Sequence, residues 1–121
     1  MLNLDTHILI ALLKGELSEE ERALVINARL VISDIVLWEL AKLVQLGRLV
    51  LDLDSAVFSK CLQTLNIFPI TLEIARTSTT LDFASDPVDE IIAATSIVGR
   101  VPLLTRDRRI RRSGIVPLAI Q

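Results

Sequence analysis

The stretch Asp86-Pro87-Val88-Asp89-Glu90-Ile91-Ile92-Ala93-Ala94-Thr95 holds the sharpest boundary in the chain. Asp86 is placed to cap a helix, Pro87 suits a first-turn position that needs no backbone N–H, and Asp89 stands where the helix dipole favours an acid. The apolar run Ile91 to Val98 continues the helix, and Gly99 is expected to stop it. Val101 to Thr105 then reads as a strand, Asp107 opens a short arginine-rich helix, and Ile115 to Ile120 can form a last strand.

The same alternation runs back to the start of the chain. Met1 to Leu4 reads as a short buried strand, and Asp5-Thr6 opens an apolar helix to about Leu13, ended by Lys14-Gly15. Ser18 with Glu21 forms a capping-box signature for a helix over 19–28, ahead of a strand Leu30 to Ile32. Ser33 or Asp34 caps a third helix through Gln45, with Gly47 at a left-handed stop. Arg48 to Leu53 is a connector. Residues 55–65 read as helix, Ile67 to Ile70 as a strand with Pro69 at its edge, and 72–83 as helix again. Strands alternating with helices imply an α/β fold: a parallel sheet covered on both faces, with any site in the crevice at the carboxyl ends of the strands.

The 121 residues fit one domain, 1–121, without repeat, linker or low-complexity segment. Apolar residues make up 51% and mean hydropathy is +0.54, rich enough that some apolar surface is expected to meet another chain. The longest apolar runs fall far short of the roughly 20 residues of a membrane span. Asp5 and His7 interrupt the N-terminal apolar stretch, so no signal peptide is visible and a cytoplasmic protein is expected. Cys61 stands alone, which removes disulfides and cysteine-zinc sites and leaves it as a core residue. Net charge is −2, yet five arginines (Arg106, Arg108, Arg109, Arg111, Arg112) crowd near the C-terminus.

Four acids stand where this architecture would gather them: Asp5 after the first strand, Glu39 on the third helix, Asp89 in the first turn of a later helix, and Asp107 after a strand. Each has a plainer reading. Asp5 and Asp107 can cap helices, Asp89 can favour a dipole, and Glu39 can pair with Lys42. Glu39 fits its plain reading least, because Ile35, Val36 and Leu43 make its helix face mostly apolar. Carboxylates gathered without a cation repel and raise one another's pKa, whereas Mg²⁺, or Mn²⁺ in its place, relieves this. Such a site can hydrolyse a phosphodiester without a histidine or a covalent nucleophile, so His7 reads as a structural or rim residue. Thr6, Ser33 and Thr105 can hold a carboxylate or a water near the metal, or cap helices. Arg106, Arg108 and Arg109 can grip phosphate at the mouth of the site, or form a solvated face. Trp38 can stack on a base, but on an apolar helix the core is its expected place.

In series these residues resemble the VapC-type branch of the PIN-domain family. Met1-Leu2-Asn3-Leu4-Asp5-Thr6-His7 is similar to its opening motif, and Trp38-Glu39-Leu40-Ala41 with Gly47-Arg48-Leu49 to its second. Asp86 to Thr95 is similar to the third motif and Pro102-Leu103-Leu104-Thr105-Arg106-Asp107 to the fourth. Ser96 departs from the alanine of many relatives. The resemblance implies a three-layer α/β/α domain with four or five parallel strands, and a metal site at Asp5, Glu39, Asp89 and Asp107. It also implies a Mg²⁺-dependent endoribonuclease that dimerises and is inhibited by a VapB-type antitoxin.

Other classes fit less well. A phosphate receiver would need a paired acid after the first strand and a late lysine, yet no lysine follows Lys60. A two-aspartate phosphatase would want an acid at position 7, where His7 stands. Four glycines make neither a phosphate loop nor a dinucleotide fingerprint. A PIN-like module that binds protein or RNA without cutting is the alternative that survives.

Overall fold

A computed structural model describes residues 1–120. Its strands are β1 (Leu2–Leu4), β2 (Leu30–Ser33), β3 (Asn66–Phe68) and β4 (Leu103–Leu104). They form one parallel sheet in the order β3-β2-β1-β4, with Leu2 beside Leu30, Asn3 beside Leu103, and Ile32 beside Ile67. The central strand β1 has partners on both edges and is buried along its whole length. That is the environment in which a parallel strand carries apolar residues on both faces.

The helices are α1 (Thr6–Lys14), α2 (Glu19–Ile26), α3 (Ile35–Gln45), α4 (Ala56–Gln63), α5 (Leu72–Thr77), α6 (Pro87–Gly99) and α7 (Arg108–Arg111). They flank the sheet as an α/β fold requires. The core joins Leu4, Ile8 and Leu9 to Ile32, Val36, Leu40, Ile92 and Leu104, and half-buried Cys61 packs against it. The long α6 lies against α3, α5 and β2. It is also pinned to β1 by Asn3, whose Nδ2 donates to Ile92 O (3.2 Å) and Ser96 Oγ (2.9 Å). Ser96 therefore gives Asn3 an acceptor that alanine would not supply.

Several boundaries differ from those expected. The stretch Ile115 to Ile120 is not a fifth strand: it is reduced to one parallel bridge, Leu103 to Leu118, with hydrogen bonds from Leu103 N to Pro117 O and Ala119 N to Leu103 O. The strand over Val101–Thr105 shrinks to Leu103–Leu104, since Val101 N donates back to Ser96 O and Pro102 has no N–H. The helix expected over 72–83 ends at Thr77. There the hydroxyls of Ser78, Thr79 and Thr80 each donate to a carbonyl three residues back, at 2.6, 2.7 and 3.2 Å, competing with helical continuation. Gly99 lies inside α6, and the left-handed stop falls on Arg100 at φ 53°. A Cβ on Gly99 would come within 3.3 Å of the Phe68 ring, so this glycine serves close packing on β3.

Trp38, expected in the core, is 54% exposed. On α3 the fully buried side chains are Val36 and Leu40, and Trp38 falls midway between them, about 200° around the helix from either.

One ion pair ties α2 to the turn after β4. Arg106 Nε and Nη2 donate to the two carboxylate oxygens of Glu21 at 2.8 and 2.7 Å, and Nη2 also reaches Glu16 O. Glu21 closes the capping box as well, accepting from Ser18 N at 2.8 Å. Bidentate bonding to Arg106 takes the Glu21 carboxyl from 4.5 down to about 2. A carboxyl whose folded pKa is depressed stabilises the fold above 4.5, and that contribution drains away as pH falls toward 2. Replacing Glu21 by Gln is expected to cost about 1–2 kcal/mol at pH 7, discounted because Arg106 is half exposed, and to flatten the acid limb of a melting-temperature profile.

Candidate metal centre

Asp5 occupies the carboxyl end of the central strand, its N–H bonded to Leu104 O. It holds the N-cap position of α1 yet makes no side-chain cap bond. Asp5 as a residue is 98% buried by area, with Oδ2 accepting the Thr105 hydroxyl at 2.6 Å and Oδ1 buried without any hydrogen-bond partner. Burial raises the Asp5 pKa; the Thr105 hydroxyl, nearby His7 and the Thr6 N–H oppose this, and the charge of Glu39 adds to the rise.

Asp89 sits in the first turn of α6, where Ser85 Oγ donates to Oδ2 at 3.0 Å. Burial raises its pKa, as does the charge of Asp5; Ser85 opposes, and Asp107 and Asp86 contribute further increases. Asp86 is the N-cap residue of α6, exposed and without a cap bond. Asp107 does cap a helix: its Oδ1 accepts from Arg109 N (2.8 Å) and Ile110 N (3.2 Å) of α7. Its own N–H donates to Thr105 Oγ1 at 3.0 Å, so a single hydroxyl bridges the Asp5 carboxylate and the Asp107 backbone.

Glu39 is half-buried on α3. The pairing with Lys42 that would account for it is not made, because Lys42 Nζ donates to Gln45 Oε1 instead. The charges of Asp5 and Asp107 thus act on Asp89, and that of Glu39 acts on Asp5. His7 is exposed at the rim. Ser33 Oγ accepts from Ile35 N at the start of α3, while Thr6 Oγ1 is buried without a partner. Of the arginines, Arg106 is committed to Glu21, whereas Arg108 and Arg109 stand exposed on α7.

Residues 3–115 match the family model of the PIN domain. The chain belongs to the PIN-domain family. Members of that family are nucleases. Among solved structures, this PIN chain is similar to one from a toxin–antitoxin complex of Klebsiella pneumoniae, 26% identical with a TM-score of 0.74, over 98% of this chain and 95% of that one. VapBC2 from Rickettsia felis, bound to a DNA fragment from its promoter, is 19% identical with a TM-score of 0.73, over 98% and 97% of the two chains. DNA-bound VapBC from Salmonella typhimurium is 19% identical with a TM-score of 0.66, over 97% and 95%. At 19% the likeness speaks for the fold. No curated protein sequence matches the chain.

PIN nucleases use divalent metals. Among the described residues no group of three or more His, Cys, Asp or Glu side chains converges closely enough to enclose an ion. What fits a cation is the orphaned, buried Oδ1 of Asp5 together with a second carboxylate, Asp89, whose pKa is raised by burial and by the charge of Asp5. Mg²⁺ asks no more, since it keeps several waters and takes one or two carboxylates.

Sequence reasoning missed three contributors. Ser85 shows no signal beyond standing one helical turn ahead of Asp89. Asn3 has one: a lone amide between two leucines in a strand buried on both faces needs an internal partner. The Glu21–Arg106 pair has none, because the capping box already accounts for Glu21.

A carboxyl whose folded pKa is raised destabilises the charged, metal-free fold, and that penalty is relieved as pH falls through the raised value. Asp5→Asn is therefore expected to raise the melting temperature of EDTA-treated protein by a few degrees, roughly 1 kcal/mol, and to abolish the shift on Mn²⁺ titration. Thr105→Val should leave Asp5 with no hydroxyl donor and weaken Mn²⁺ binding about 10–100-fold, read in the same titration. Equal Mn²⁺ shifts in wild type and Asp5→Asn would exclude a metal role for Asp5.

Proposed function

We propose that this chain is a Mg²⁺-dependent endoribonuclease, the toxin half of a VapBC-type pair, acting in the cytoplasm. The observation that carries this reading is the Asp5 carboxylate: buried, at the end of the central strand, not capping its helix, and with one oxygen unpartnered. A purely structural aspartate in that place would be costly, because a buried acceptor without a donor forfeits about 1–3 kcal/mol.

In this reading Asp5 and Asp89 hold the ion most closely, with Glu39 and Asp107 completing the acidic ring. Bound there, Mg²⁺ or Mn²⁺ supplies positive charge that lowers the cost of ionising a water and offsets charge gathering on the phosphate. Thr105 fixes the Asp5 carboxylate through its short hydroxyl bond, and Ser85 does the same for Asp89. Arg108 and Arg109, on the helix that Asp107 caps, meet the phosphates of a single strand. Arg106 does something else. Paired with Glu21, it anchors the turn that presents Thr105 and Asp107.

The structural relatives are toxin–antitoxin complexes, which supports an antitoxin partner for this chain too. Exposed Val50, Val57, Leu72 and Ile26 offer apolar area for an antitoxin and for a homodimer. None of the described helices is long and apolar enough to cross a membrane.

The absence of a tight three-acid cluster among the described residues favours one competing reading, a module that binds RNA or protein without cutting. Incubation of purified protein with total RNA separates the two. Discrete cuts are expected with Mg²⁺, lost in EDTA and reduced on the order of 100-fold or more in Asp5→Asn. Folded, antitoxin-free protein that cuts nothing would establish the binding module instead.

A further inference from the structure

Between the segment 82–84 and α7 lies a cavity of about 320 Å³, lined by Asp82, Phe83, Ala84, Arg109, Arg112 and Ser113. Its two walls lead directly to the acids. Residues 82–84 run into Ser85, which holds Asp89, and α7 is the helix capped by Asp107. Arg109 and Arg112 are three residues apart and share one helical face, both exposed. Among the described residues, no hydrogen bond or ion pair engages either guanidinium.

Asp82 is the one acid lining the cavity, and it is spent. Oδ1 accepts the Ser113 hydroxyl at 2.6 Å and Oδ2 accepts Gly114 N at 2.7 Å, which clamps the end of α7 to this segment. Two cations against one committed carboxylate leave a net positive site. The half-buried Phe83 contributes an aromatic surface to the same cavity.

We propose that this cavity is a nucleotide subsite: Arg109 and Arg112 take one backbone phosphate of single-stranded RNA, and Phe83 stacks on the attached base. The assignment rests on the ribonuclease reading and adds Arg112, Phe83 and a place for the strand beside the metal centre. The volume suits one nucleotide, and the pairing of two arginines with one aromatic face is the general chemistry of single-strand recognition. An acidic peptide would use the arginines and leave the aromatic surface idle.

The test is fluorescence-anisotropy binding of a labelled, mixed-sequence RNA of about 8 nucleotides in an Asp5→Asn background, where turnover is suppressed. Arg109→Ala with Arg112→Ala is expected to weaken binding tenfold or more and to lower the salt slope by roughly 0.7, the share of one single-strand phosphate. Phe83→Leu keeps an apolar side chain against the core and is expected to weaken binding about tenfold with the salt slope unchanged. The control is Arg29→Ala, at the opposite end of the sheet, expected to bind as the background does. If RNA is bound and the cavity variants match that control, the subsite is overturned while the ribonuclease reading stands. If RNA is neither bound here nor cut by wild type, both fall together. Polyglutamate that displaces the RNA equally well in wild type and in Phe83→Leu would overturn the base-stacking role and give the cavity to an acidic peptide.

Discussion

Burying the carboxylate of Asp5 at the end of the central strand is the constraint around which the molecule is arranged. Taking such a group out of water costs several kcal/mol unless it is paired and fully hydrogen-bonded. One short bond from Thr105 and the Thr6 N–H offset part of that, and one oxygen is left with nothing. The strand cannot shed the load elsewhere, because β1 is fixed by β2 on one edge and β4 on the other. A fold that tolerates this must be over-determined around it, and this one is. Asn3 bolts β1 to α6, and Glu21 with Arg106 bolts α2 to the turn after β4. Each fixation lies close in sequence to an acid of the site or to its hydroxyl partner.

Strain and support are therefore distributed unequally. Burial of Asp5 and Asp89, with the charge of Asp5 adding to the strain on Asp89, destabilises the charged fold, while Glu21 stabilises it at neutral pH. In the metal-free protein the two effects run in opposite senses with pH: the stabilisation from Glu21 drains away as pH falls toward about 2, while the penalty at Asp5 and Asp89 is relieved as pH falls. A cation at the site would offset that penalty, coupling fold and ligand through the same two carboxylates.

The sheet and its helices are legible in the sequence because their signals are local. Apolar runs of strand length alternate with capped helices, and parallel pairing follows from that order. Illegible are the features decided by competition at a boundary. The apolar Leu81 and Phe83 extend the pattern of α5 in sequence, but three consecutive hydroxyls end it, and only the backbone shows their carbonyl partners. The site divides the same way. Asp5 and Asp107 look identical in sequence, each an aspartate between a strand and a helix, and both could be caps. In space Asp107 caps α7 and Asp5 caps nothing. Trp38 is misplaced by sequence reasoning because an apolar helix suggests burial all round, whereas α3 buries one stripe. Glu21 and Arg106 are 85 residues apart, beyond any local pattern.

The exposure of Trp38 has an optical consequence. It is the sole tryptophan, there is no tyrosine, and it already faces solvent beside Glu39. Ultraviolet emission from this protein is a report from one point on α3. With 54% of Trp38 already exposed, loss of the fold changes that environment less than it would for a core tryptophan, so intensity at the tryptophan band gauges denaturation less sharply. By the same token, whatever comes to rest on α3 beside the acids alters the emission of this single indole, with no tyrosine to overlap it.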